Sequence, residues 1–276
     1  MRAALFQSRT GIDPAANALS LREAIAAAAG EGADMLFTPE MSGLLDRDRA
    51  RASLRITREE DDLVLAAVRE SAAKAGIWVQ LGSLALRSED DPDRLVNRGF
   101  VIDATGAIRA RYDKMHLFDV DLPTGESWRE SASYVAGGRA VVATTPWGRI
   151  GLSICYDLRF PALYAALTSA GAEIIVVPAA FTVPTGMAHW HVLLRARAIE
   201  AGVFVIAAAQ CGRHEDGRET YGRSMVIDPW GEILLELGSE PGVGIADIEM
   251  ERIAQVRGRV PALRHRRPVS DPEILA

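Results

Sequence analysis

Cys155 closes the apolar stretch Ile150-Gly151-Leu152-Ser153-Ile154 and is followed by Tyr156-Asp157-Leu158-Arg159-Phe160-Pro161. A strand that runs into a thiol just ahead of a helix places a nucleophile where a helix N-terminus can lower its pKa without a metal. Attack by such a thiol on a carbonyl carbon needs a base for its proton and donors for the oxyanion that forms. Two charged residues occupy comparable places. Glu40 follows Leu36-Phe37-Thr38-Pro39, and Lys114 follows Arg109-Ala110-Arg111-Tyr112-Asp113. Charged groups where apolar strands stop stand at a sheet's rim, where clefts form. Taken singly they leave open an inert buried thiol, a surface-turn carboxylate and a solvated lysine.

The elements that must position these residues alternate between strand and helix patterns. Residues 3–7 read as a strand, 21–29 as an alanine-rich helix closed by Gly30 and Gly32, and 33–37 as a short apolar strand. Residues 61–75 predict a helix with Leu63, Ala66, Ala67 and Ala73 on one face. Residues 77–86 read as a strand, and 100–106 with 107–112 as a hairpin. Two Pro-Trp-Gly turns, at Pro146-Trp147-Gly148 and Pro229-Trp230-Gly231, each predict a further hairpin and hint at duplication. Residues 173–177 and 203–209 read as buried strands. Residues 187–201 read as a helix with Trp190, Leu194 and Ala198 on one face. No composition break marks a linker, so a single α/β domain of mixed sheets covered by helices is expected over residues 1–276, with an Arg-rich tail from about 257.

Composition removes several function classes. The 276 residues are 49% hydrophobic and 25% charged, with a formal net charge of −6. General affinity for nucleic acid or anionic membrane is not expected from that balance. No stretch approaches the roughly 18 apolar residues of a membrane span. The first residues lack a signal-peptide layout, and two cysteines without a leader fit a reducing cytoplasm. The basic run from Arg257 to Arg267 reads as a solvated or subunit-contacting tail. His189 and His191 stand two apart on a helix and cannot share a metal ion. Cys211 is followed by a polar turn and lacks an activating helix end.

Three segments together, Thr38-Pro39-Glu40, Tyr112-Asp113-Lys114-Met115-His116-Leu117-Phe118-Asp119 and Cys155-Tyr156-Asp157-Leu158-Arg159-Phe160-Pro161, resemble the nitrilase, or carbon–nitrogen hydrolase, superfamily. The resemblance covers nearly the whole chain and implies a four-layer αββα sandwich that works as a homodimer or larger homo-oligomer. It also implies a catalytic set: Glu40 as general base, Lys114 as oxyanion cation and Cys155 as nucleophile, with the Tyr156 N–H as second oxyanion donor. Glu130, in Trp128-Arg129-Glu130-Ser131, matches an additional active-site glutamate that would orient Lys114 or the substrate nitrogen. The chemistry implied is an acyl-thioester on Cys155 with release of ammonia, then attack by water, without metal or organic cofactor.

The segment Ala179-Ala180-Phe181-Thr182-Val183-Pro184-Thr185-Gly186-Met187-Ala188-His189-Trp190 looks like the family's substrate-facing loop. It brings Phe181, Thr182, Thr185 and His189 forward as substrate-binding candidates. Further matching segments, among them Tyr221-Gly222-Arg223-Ser224-Met225, resemble the Nit1 group, whose members cleave deaminated glutathione to 2-oxoglutarate and cysteinylglycine. His191 and Arg223 depart from that group's pattern. A keto-acid substrate carries a carboxylate, for which Arg159 is the first candidate partner; a structural salt bridge is its other reading. The alternatives within the superfamily are an ω-amidase acting on 2-oxoglutaramate and a carbamoyl-group hydrolase. From another class comes a catalytically silent interaction protein.

Overall fold

The computed structural model describes residues 1–121, 125 and 127–274. The chain opens with β1 (Arg2–Gln7), α1 (Pro14–Gly30), β2 (Met35–Phe37), α2 (Arg49–Ser53), α3 (Leu63–Ala75), β3 (Trp78–Arg87), β4 (Leu95–Ile102) and β5 (Ile108–Asp113). A two-stranded ribbon, β6 (Asp119–Asp121) and β7 (Ser127–Arg129), follows. Next come β8 (Val142–Thr145), β9 (Gly148–Leu152), α4 (Pro161–Ser169), β10 (Ile174–Val176), α5 (Val183–Ala201) and β11 (Phe204–Ala207). A second ribbon, β12 (Cys211–Arg213) and β13 (Glu219–Tyr221), precedes β14 (Met225–Ile227), β15 (Ile233–Glu236) and β16 (Gly242–Asp247). The chain then forms α6 (Glu251–Arg259) and α7 (Ala262–His265).

Two six-stranded sheets result, in the orders β16-β1-β2-β3-β4-β5 and β8-β9-β10-β11-β14-β15. Their pairing sequences are identical: one antiparallel pair, two parallel pairs, then two antiparallel pairs. The internal repeat is therefore a repeat of sheets. The two Pro-Trp-Gly hairpins, β8–β9 and β14–β15, lie at opposite ends of one sheet and are not counterparts of each other.

Strand periodicity explains the layering. Leu36 packs with α1 and α3 through Leu21, Ile25, Val64 and Val68, while Met35 and Phe37 point the other way. That inner face joins a core running through the second sheet to Leu163 and Leu167 of α4 and Trp190, Leu194 and Ala198 of α5. The arrangement is the expected helix–sheet–sheet–helix sandwich.

Three sequence expectations need correction in detail. The first helix begins at Pro14, well before residue 21, because Asp13 caps it, its Oδ1 accepting the Ala15 N–H at 3.1 Å. The buried stripe of α3 is Val64, Leu65, Ala67, Val68 and Ala72, whereas Leu63 is 50% exposed in the first turn. The Arg-rich tail partly folds back on its own chain. Arg257 donates to the Gly202 and Ala172 carbonyls, and Arg266 to Ala165 O and Thr168 Oγ1, at the carboxyl ends of α5 and α4, where a cation is favoured. Among the described residues no helix is long and apolar enough to cross a membrane.

Candidate active site

Glu40, Lys114 and Cys155 come together at the carboxyl ends of β2, β5 and β9, where ligands gather in open α/β sheets. All three are buried.

The turn carrying Glu40 is held from beneath by β3. The Gly82 N–H donates to Thr38 Oγ1 at 2.9 Å, and Ser83 Oγ accepts the Met41 N–H at 2.9 Å. A Cβ on Gly82 would stand 2.1 Å from Thr38 O and 2.2 Å from Pro39 O, so only glycine fits. The carboxylate is then fully engaged. Oε1 accepts from Lys114 Nζ at 2.9 Å and Asn97 Nδ2 at 3.0 Å, and Oε2 from the Ala180 N–H at 3.0 Å. Burial alone would raise its pKa. The Lys114 charge and donors from Cys155, Lys114 and Asn97 outweigh burial and hold it below the ordinary carboxylate range.

Lys114 follows β5 and is tied by its N–H to Asn97 O at 2.9 Å. Its ammonium also reaches Glu130, at 3.1 and 2.8 Å to the two oxygens. Glu130 in turn accepts the Phe118 N–H at 2.6 Å and Asn97 Nδ2 at 3.3 Å. Burial opposes the charged lysine. The two carboxylates, Glu130 foremost, more than compensate and push its pKa well above the usual value.

Cys155 sits at φ +48°, a left-handed conformation uncommon outside glycine that turns the chain sharply out of β9. Here the structure overturns an expectation. The segment after the thiol is a five-residue 3-10 turn, Cys155–Arg159, and the α-helix starts only at Pro161. So short a turn aligns few peptide dipoles. Burial and the Glu40 charge dominate and push the thiol pKa well above its ordinary value, against the opposing pull of Lys114. At rest Cys155 is therefore a thiol facing the Glu40 carboxylate. The Tyr156 N–H takes no intramolecular acceptor among the described residues and is free to serve an oxyanion.

Asp157, wholly buried, holds the thiol turn to the Lys114 segment. It accepts from the Ile154 N–H at 2.8 Å, the Tyr112 hydroxyl at 2.7 Å and the His116 N–H at 3.0 Å, with His116 Nδ1 at 2.7 Å. Asp157 lies in the Cys155 segment, but nothing in the sequence alone marks its role. Asn97, which touches both glutamates, escapes the sequence pattern because β4 starts at Leu95, five residues before the apolar run from residue 100 that marks the strand.

A cavity of 710 Å³ opens over the cluster, with Phe118, Phe181, Thr182, Thr185 and Arg159 in its wall. Thr182 and Thr185 bond each other at 2.8 Å between hydroxyls. The Arg159 guanidinium lies 5.6 Å from the Phe181 ring centroid and has no carboxylate partner among the described residues. His189 is outside the wall, exposed on α5, with Nδ1 3.3 Å from Arg159. His191 and Arg223 both turn to Glu236 on β15, at 3.3 and 3.2 Å, and line none of this cavity. Cys211 is buried away from it, its pKa raised to about 11 by burial.

An αββα sandwich with a thiol, a carboxylate and an ammonium converging at its strand ends is the framework of a cysteine-dependent amide hydrolase. The chain belongs to the carbon–nitrogen hydrolase family, whose model matches residues 2–258. It is 43% identical over 243 residues to a deaminated glutathione amidase of Yersinia enterocolitica, covering 87% of this chain and 84% of that one. It superposes on the NitFhit protein of C. elegans with a TM-score of 0.89 at 36% identity, covering 96% of this chain and 65% of that longer one. An amidase from Nesterenkonia sp. AN1 matches with a TM-score of 0.78 at 28% identity, over 95% of this chain and 98% of that one. It was solved as a glutamate-to-glutamine variant with acrylamide added at its active-site cysteine.

Proposed function

We propose that this chain is a deaminated glutathione amidase. The supporting observation is its 43% identity, across most of both chains, to an amidase of that name. In this reading Glu40 takes the Cys155 proton as Sγ attacks the amide carbonyl carbon. Lys114 and the Tyr156 N–H hold the oxyanion, and Glu130 keeps the ammonium aimed at it. Glu40 then passes the proton to the amide nitrogen as the C–N bond breaks, leaving a thioester. Water, deprotonated by Glu40, attacks that thioester; the C–S bond breaks and the thiol regains its proton. For this substrate the departing amine is cysteinylglycine, which corrects the ammonia expected from the sequence. Losing one oxyanion donor costs about 10²–10³ in turnover.

Comparing kcat/KM for deaminated glutathione, 2-oxoglutaramate and N-carbamoyl amines tests the assignment, with Cys155→Ala as control. Preference for 2-oxoglutaramate would replace it by an ω-amidase. Activity surviving in Cys155→Ala would remove the mechanism.

A homodimer is part of the same reading. Val192 and Ile199 on α5 and Ile233 on β15 are exposed apolar residues on adjoining elements, as a subunit contact needs. Light scattering on the eluting protein checks it, and a monomer at micromolar concentration overturns it. A reducing cytoplasm suits a free catalytic thiol.

A further inference from the structure

Away from the thiol, the cavity wall is built on Trp128. Arg218 lies 4.8 Å and Arg47 5.8 Å from its ring centroid, and all three residues line the cavity that contains Cys155. One buried acid, Asp216, organises both arginines. Its Oδ1 accepts the Arg218 N–H at 2.9 Å. Its Oδ2 accepts the Arg47 N–H at 2.9 Å and pairs with the Arg218 guanidinium at 3.3 Å.

Asp216 thus pairs with the Arg218 guanidinium and takes only the backbone N–H of Arg47, whose guanidinium has no carboxylate partner among the described residues, so this part of the wall carries more positive than negative charge. Arg218 Nε and Trp128 Nε1 are buried without an acceptor among the described residues. Burial holds the Arg218 pKa below its usual value although Asp216 opposes this, so its cation is poorly solvated. A desolvated guanidinium with an open Nε–H, beside a second guanidinium that has no counter-charge, gains from an incoming carboxylate.

The substrate of the amidase reading has a carboxylate at each end. After C–N cleavage the acyl part stays on Cys155, close to Arg159 on the same turn. The amine part must depart while the thioester persists, so its subsite has to open to solvent. Arg47 is exposed and Arg159 half-buried.

We propose that Arg218 and Arg47, stacked on Trp128, bind the terminal carboxylate of the leaving amine, a short carboxylate-ended peptide. This rests on the amidase reading and adds the part of the site that tells a peptide amide from a simple one.

The test uses the full chain and two substrates, deaminated glutathione and its C-terminal amide, which lacks only that charge. Wild-type enzyme is expected to favour the acid by roughly 10–100-fold in kcat/KM, the range of a charge-assisted hydrogen bond, mainly through KM. Arg218→Gln should collapse the ratio toward one. Arg47→Gln, at an exposed position, should lower it with little risk to folding. Equal rates for acid and amide in the wild type overturn the subsite and leave the amidase reading intact. A ratio unchanged in both variants does the same. Hydrolysis of neither substrate by the wild type overturns the amidase reading, and the subsite with it.

Discussion

The Tyr112 hydroxyl donates to Asp157 Oδ2 at 2.7 Å, and this bond joins the strand that leads into Lys114 to the turn that begins at Cys155. Asp157 also accepts from Ile154 and His116, so it sets the thiol and the ammonium at one separation. Asp157→Asn keeps the shape but loses charge and acceptor capacity. It should cost roughly 2–4 kcal/mol of stability and lower kcat at least tenfold. Tyr112→Phe, which removes one donor, should cost about 1 kcal/mol. Thermal unfolding and steady-state kinetics on both variants check this. An Asp157→Asn enzyme with wild-type kcat contradicts the positioning role.

The direction of each shift sets the pH behaviour. Glu40 is depressed in the folded protein, so its stabilising contribution is present above the unfolded value, about 4.3, and lost as pH falls through the lower folded value. Lys114 is raised, so its contribution is full below about 10.4 and lost as pH rises through the higher folded value. The acid limb of kcat/KM, reporting the free base, should therefore fall below the ordinary glutamate range. A limb centred near pH 6 speaks against Glu40 as the base.

Thiol reactivity separates base activation from a standing thiolate. In the wild type, alkylation of Cys155 by iodoacetamide should be slow at pH 7 and rise without a plateau through pH 9, because the folded pKa lies well above the usual thiol value. Glu40→Gln removes the neighbouring charge and should bring the alkylation midpoint down. Turnover should fall by roughly 10²–10⁴ at the same time. A midpoint that does not move rejects the coupling.

Asn97 donates to both glutamates, and its Oδ1 is buried without a partner among the described residues. Asn97→Leu withdraws a donor that lowers the Glu40 pKa, so the acid limb should move upward. The predicted loss in kcat is about tenfold, with little change in KM. A loss of stability alone, with the limb in place, marks Asn97 as structural.

Gly82→Ala tests the support under the base. The new methyl meets two backbone carbonyls of the Glu40 turn, which have no room to yield. Destabilisation by roughly 3 kcal/mol or more is expected, seen as lost soluble yield or lowered Tm.

The residues that could do chemistry were legible because each ends a strand, and the strand ends share one edge of the sandwich. The repeat of sheets was not, since it lies in pairing order and leaves no matching text. Reading α3 from Leu63 misplaced its face: that residue precedes the stripe begun by Val64 and Leu65. Trp128 is on β7 and Arg218 in the turn between β12 and β13, far apart in sequence, and only tertiary folding stacks one on the other. The helix expected behind Cys155 failed for a local reason: the left-handed backbone there is followed by a tight turn before Pro161 allows an α-helix to begin.

Glu40 and Lys114 ride on one sheet and Cys155 on the other, so the reactive group exists only as an alignment of two slabs. The side chains between them, Met35, Phe37 and Val101 with Leu152 and Val177, pack in one core and set the spacing of carboxylate and thiol. On the proposed mechanism, thinning that spacer by a methyl group should shift Glu40 against Cys155 before it unfolds anything. Rate is then a finer ruler of inter-sheet fit than melting temperature.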